Sequence, residues 1–128
     1  MKLTLKGCTK VEIPSNSDYL NSISPEQYEI NLGNRAQGTP PFTWEIVLQN
    51  PNSEPINYLI YSIQDSDINW ISLGKTEGTL LPYPQKDSTH NIPITFFTEK
   101  REILSTHLII ENLSNPLDLK CIRVNMEV

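Results

Sequence analysis

Alanine is all but missing from this chain of 128 residues, where Ala36 is the single one. Glycine is sparse as well, at five residues against ten prolines. Little alanine beside abundant isoleucine disfavours helices and favours strands, because β-branched side chains pack well on a pleated surface and lose rotamer freedom in a helix. Prolines in excess of glycines point to ordered turns rather than a flexible linker. Long apolar runs are lacking too: none approaches the ~18 residues of a membrane-spanning helix. No apolar signal segment follows Met1-Lys2-Leu3. The expected setting is therefore cytoplasmic, without direct membrane insertion.

Positive charge is also in short supply. Ten Lys and Arg face fifteen Asp and Glu, a net charge of -5. A nucleic-acid backbone needs a clustered surplus of cations, and the only compact basic pair, Lys100-Arg101, is followed at once by Glu102. Nucleic acid is not an expected partner. Two cysteines, Cys8 and Cys121, are too few for a disulfide framework; a bond between the first and last strands is sterically open, and buried free thiols are the expected state. Asn112-Leu113-Ser114 has the form of a glycosylation sequon, a triplet that also arises by chance.

Reactive groups are equally thin. The two histidines, His90 and His107, lie on separate segments, with no HxH or CxxC pair to start a metal site. They read as surface imidazoles. Asp65-Ser66-Asp67 resembles half of a calcium loop but lacks the later glycine and distal glutamate. In Ser105-Thr106-His107, neighbours along a strand point to opposite faces, so Thr106 and His107 cannot act together as nucleophile and base. No catalytic residue, cofactor or metal is expected, and the chain does not read as an enzyme.

What is present is rhythm. From Phe42 to Gly78 the chain reads strand, turn, strand, buried tryptophan, turn. Trp44, Ile46 and Leu48 alternate with Thr43, Glu45, Val47 and Gln49, a wetter face, and Asn50-Pro51-Asn52 makes the turn. Ile56, Tyr58 and Ile60 then share an inward face, with Leu59 and Tyr61 opposite. Tyr28, Ile30 and Leu32 form an earlier strand ended by Gly33, and Leu3-Thr4-Leu5 and Val11-Glu12-Ile13 make two short pieces before it. Pro14 to Pro25 reads as a polar loop with at most a helical turn near Asp18-Tyr19-Leu20. Later, Gly78-Thr79-Leu80 opens a turn, and Pro82 and Pro84 bracket Tyr83. Strands carry Ile92, Ile94 and Phe96, then Leu108 and Ile110. Ile122, Val124, Met126 and Val128 alternate to the end. About seven to eight short strands with regular turns describe an all-β, immunoglobulin-like antiparallel β-sandwich. One domain is expected, with residues 1–27 as an N-terminal strand and polar loop and residues 28–128 as the sandwich.

The ordered pieces resemble the ASPM/Hydin-type (ASH) domains and their major-sperm-protein (MSP) and PapD-like relatives. Ile30-Asn31-Leu32-Gly33-Asn34 is similar to their apolar-x-Phe-Gly opening, with Leu32 in place of Phe. Ile46-Val47-Leu48-Gln49-Asn50 is similar to their apolar-x-Leu-x-Asn strand, and Ile56-Asn57-Tyr58 to the step that follows. A BACON-like sandwich is the second resemblance, carried by Trp70-Ile71-Ser72-Leu73. The first implies a non-catalytic interaction or scaffolding module in a larger cytoskeletal, ciliary or centrosomal assembly. The second implies a carbohydrate-binding module of a secreted bacterial protein. The acidic FFAT peptides bound by some MSP domains do not suit this chain, because Val47 or its neighbours replace the Lys of that motif and Asn52 replaces its Thr. The expected contact residues are Leu59 and Tyr61 on the outward face, with Tyr83 an open aromatic. Pairing of a partner strand with a sheet edge is the general mechanism, and Pro55 and Pro93 are placed to guard edges.

Overall fold

The computed structural model describes residues 2–11, 26–63, 70–98 and 103–128. The expected helical turn near Tyr19, the Asp65-Ser66-Asp67 loop and Lys100-Arg101 lie outside these residues. Among the described residues there are ten strands: β1 (Thr4–Lys6), β2 (Thr9–Val11), β3 (Glu26–Asn34), β4 (Phe42–Gln49), β5 (Ile56–Ile63), β6 (Ile71–Leu73), β7 (Glu77–Leu80), β8 (Thr89–Phe96), β9 (Ile103–Asn112) and β10 (Leu119–Glu127). One turn of 3-10 helix, Lys86–Ser88, precedes β8. The strands form two sheets, ordered β1-β4-β8-β6 and β2-β3-β10-β9-β5-β7. Every pair is antiparallel except β3 with β10, which run parallel, Ile122 opposite Tyr28 and Val124 opposite Ile30. The count exceeds the expected seven or eight because β1, β2 and β6 have only three residues each.

The period of two places the core. Ile46 and Leu48 of β4, Ile56, Tyr58 and Ile60 of β5, and Ile92, Ile94 and Phe96 of β8 are all buried. Ile122, Val124 and Met126 of β10 share the six-stranded sheet with β5 and join the same buried cluster, facing the β4 and β8 residues of the other sheet. Trp70 closes the cluster beside Phe96, with ring centroids 6.1 Å apart. Each such aliphatic side chain contributes about 1.5–3 kcal/mol on leaving water. At the β4–β5 turn, Asn50 is buried and its Nδ2 donates to the carbonyls of Glu54, Leu80 and Leu81. Its Oδ1 accepts the N–H of Asn52. That side chain satisfies backbone groups from two loops, a physical reason for asparagine at the end of the strand.

Two glycine readings need correction. Gly33 does not end its strand: β3 continues through Asn34, with Gly33 at φ 64 where the β3–β10 ladder shifts register between Asn125 and Glu127. Gly78 does not open a turn but lies within β7, paired with Tyr58. A Cβ there would sit 2.7 Å from the Tyr58 hydroxyl, so the glycine makes room for a buried ring.

Cys8 and Cys121 are free thiols, as expected. Thr9, beside Cys8, pairs with β3, and Cys121 pairs with Gln27 on the other side of β3. Two strand spacings, about 10 Å, separate β2, which Cys8 immediately precedes, from β10, which carries Cys121, beyond the reach of a disulfide.

Candidate functional site

The six-stranded sheet turns one face to the core and the other outward. Leu59 and Tyr61 of β5 alternate with the buried Tyr58 and Ile60, so both take the outward face; Leu59 is half-buried and Tyr61 is 38% exposed. The strand registers extend that face across the sheet. Tyr61 stands opposite Ile109 on β9, Ile109 opposite Cys121 on β10, and Leu59 opposite Glu111, itself opposite Leu119. Ile109 is only 8% exposed although it faces outward, because its row neighbours cover it. Glu111 orders the patch by accepting the Tyr61 hydroxyl at 2.9 Å. That bond raises the phenol's pKa above its ordinary value, with burial adding to it. Burial likewise pushes the Cys121 thiol up.

Ile109 and Cys121 were not among the expected contacts. A signal for Ile109 exists in the run Leu108-Ile109-Ile110, where apolar residues continue through a position that alternation would make polar. Tyr83, by contrast, does not join this patch. It is 68% exposed in the loop after β7, where its N–H donates to the Asn52 carbonyl in the β4–β5 turn. Tyr61 lies about 17 Å farther along β5 from the start of that strand. Trp44 is half-buried, and Tyr58 and Trp70 are core residues.

A second constellation went unread. Lys120 occupies an inward position in line with Ile122, Val124 and Met126, and its side chain is 2% exposed. Its Nζ lies 2.6 Å from Asp118 Oδ1 and 3.3 Å from Glu26 Oε2. Asp118 Oδ2 accepts the N–H of Leu3 at 2.9 Å and the Asn112 side-chain amide at 3.0 Å. The Tyr28 hydroxyl donates to Glu26 at 2.8 Å. Burial opposes ionisation of Glu26, but the Tyr28 and Lys120 contacts outweigh it and hold the carboxyl below its usual value. The cluster ties β10, β3 and the entry to β1 together, a positioning role. Because Asn112 is 3% exposed and its amide nitrogen is engaged by Asp118, the sequon does not present an acceptor on the folded surface.

His90 corrects the reading of both histidines as surface imidazoles. It is half-buried, and its Nδ1 lies 2.7 Å from the hydroxyl of Tyr58. Burial and the nearby Lys75 lower its pKa, with Asp87 opposing them. His107 is exposed, while Thr106 beside it is buried, the opposite facing expected along a strand. Among the described residues, no group of three His, Cys, Asp or Glu side chains is arranged to hold a metal ion.

No protein-family model and no curated protein sequence matches the chain. Solved structures do. The ASH/PapD-like domain of human CEP192 (PapD-like domain 7) aligns over 77% of this chain and 79% of its own, at 13% identity and a TM-score of 0.60. The fold is the ASH, MSP and PapD-like sandwich. SSP-19, described as an MSP-domain protein like family member in Caenorhabditis elegans, aligns over 75% of this chain and 92% of its own, at 14% identity and a TM-score of 0.54. A family 123 glycoside hydrolase from Clostridium perfringens aligns over 78% of this chain but only 23% of its own, at 13% identity and a TM-score of 0.59. The resemblance read from the Ile30–Asn34 and Ile46–Asn50 strands is thus borne out at the level of the ASH/MSP fold. At such identities the likeness speaks to architecture.

Proposed function

We propose that this domain is a non-catalytic protein-interaction module that serves as a scaffold element in a larger cytoplasmic assembly of the cytoskeletal, ciliary or centrosomal kind. The observation that carries the reading is the outward row Tyr61–Ile109–Cys121 with Leu59 and Leu119 beside it, apolar at the centre of a solvent-facing sheet. A sheet face of this kind is a surface on which a partner gains by excluding water. The likeness to the human CEP192 domain supports the assembly context. In this reading Leu59 and Tyr61 make the contacts, and Tyr83 serves as a separate aromatic at the loop end.

The test is affinity capture with the intact chain beside the double variant Leu59→Asp/Tyr61→Asp, with thermal melts to confirm folding. A protein partner held by the parent chain and lost with the variant supports the reading. The same partner held by both removes this face from it. Retention of polysaccharide with no protein partner, weakened by Tyr61→Ala or Tyr83→Ala, transfers the domain to the carbohydrate-binding class, since exposed aromatic rings stack on sugar C–H faces.

A further inference from the structure

Both β3 and β4 outrun the strands that cover their outer edges. β2 pairs only with Gln27–Glu29 of β3, and β1 only with Val47–Gln49 of β4. Among the described residues no strand lies along that edge at Ile30–Asn34 or at Phe42–Ile46. The two open stretches flank the point where Gly7 and Cys8 carry the chain from one sheet to the other. There a cleft of about 640 Å³ is lined by Gly7, Cys8, Thr9, Glu29, Ile30, Asn31 and Trp44. The indole of Trp44 is fixed as a wall, because its Nε1 donates to the Gly7 carbonyl at 2.6 Å.

A free strand edge presents backbone N–H and C=O groups in alternation, and only another extended backbone can pair with the row. The molecule itself displays the kind of chain that fits. The N-terminal segment lies extended against these same two strands and sends Leu3 and Leu5, 3% and 7% exposed, into the core. Its ladder with β3 stops at Thr9 opposite Glu29, and the edge beyond continues in line.

We propose that this cleft receives an extended peptide of a protein partner, which prolongs the β2–β3 ladder along Ile30–Asn34 and sets an apolar side chain against Trp44. The proposal rests on the interaction-module reading but names a different surface from the sheet face. Affinity comes from main-chain hydrogen bonds, and selectivity from alternate apolar side chains that enter the cleft. Neither depends on a charged contact, so binding is nearly indifferent to salt.

The experiment pans a phage-displayed library of random decapeptides against the full chain and maps the selected peptides, once synthesised, by amide hydrogen exchange. Expected are peptides with alternating apolar residues that slow exchange within Ile30–Asn34 and shield Cys8 from iodoacetamide. Their affinity should change less than about threefold between low and high salt, fall about tenfold or more with Trp44→Ala, and be unchanged with Tyr61→Asp. The Cys8 shielding uses the unsubstituted chain, so it stands even if Trp44→Ala folds poorly. Selection of no peptide that protects this edge overturns the proposal. So does protection of the same amides by concentration alone, which would make a second copy the occupant. Binding lost with Tyr61→Asp but kept with Trp44→Ala would overturn the cleft while leaving the sheet-face reading in place.

Discussion

Lys120 and Asp118 form an ion pair whose side chains are 2% and 1% exposed. Removing one partner strands a buried charge, so Lys120→Ala should cost about 3–5 kcal/mol in urea unfolding. Replacing both with apolar residues of similar size, Lys120→Met with Asp118→Leu, should cost less than Lys120→Ala alone. A double variant less stable than the single would show that the hydrogen bonds of Asp118 to Leu3 and Asn112 outweigh the charge pairing. Gly78 supplies a second residue-level test. Gly78→Ala drives a methyl to 2.7 Å from the Tyr58 hydroxyl and should lower stability by about 1–3 kcal/mol, as overpacking of a filled site does. The loss of the Tyr58–His90 contact should be visible as a changed His90 resonance in NMR. Lys120 was legible in principle, since it holds an inward position of an alternating strand. Its second partner was not, because Glu26 reaches it only through the parallel pairing of β3 with β10.

Elements with strong alternation were readable and the crossover was not. The inward residues of β4, β5, β8 and β10 follow from a period of two in the chain itself. The glycine and threonine of β7 look like turn residues, whereas its pairing with β5 decides its conformation. The switch between β1 and β2 turns on Gly7, at φ 93 with a would-be Cβ 2.6 Å from the Glu45 carbonyl oxygen. Gly7→Ala is strained twice over and should cost about 1–3 kcal/mol. Its signature should be local: faster amide exchange in Thr4–Lys6 while β9 and β10 stay protected. Uniformly faster exchange across both sheets would mean that the crossover is part of the global core instead.

At the scale of the whole molecule, the titrating groups define a stability plateau. The folded-state pKa of His90 lies below 6.5, so the unfolded chain binds its proton more readily; His90 costs nothing at neutral pH and destabilises as pH falls through 6.5. Glu26, held below 4.5, contributes stability that is present above that value and lost as pH falls farther. On the alkaline side, burial raises Cys8 from 9.0 to about 11 and Tyr58 from 10.0 to about 12. Their unfolded forms ionise first, so stability declines above about pH 9. Thermal melts from pH 4 to pH 11 should show a maximum between roughly pH 7 and pH 9, and His90→Gln should flatten the shoulder between pH 7 and pH 5. An unchanged shoulder in that variant would assign the acid limb to carboxylates alone.

The sequence by itself determined the sandwich, its inward-facing residues, and the exposure of Tyr61 and Tyr83, because alternation and turn residues are local properties that survive without knowledge of strand partners. Only the tertiary structure decided which strands are neighbours. Register across β5, β9 and β10 is what joins Leu59 and Tyr61 to Ile109 and Cys121, and the meeting of β3 with β10 is what buries Lys120 beside Glu26. The open edge beyond β2 has the same origin: strand ends are set by where a crossing chain must leave, and the crossing at Gly7 is fixed by contact with Glu45, distant in sequence. Periodicity assigns a side chain to a face, but only non-local pairing chooses what lies across from it.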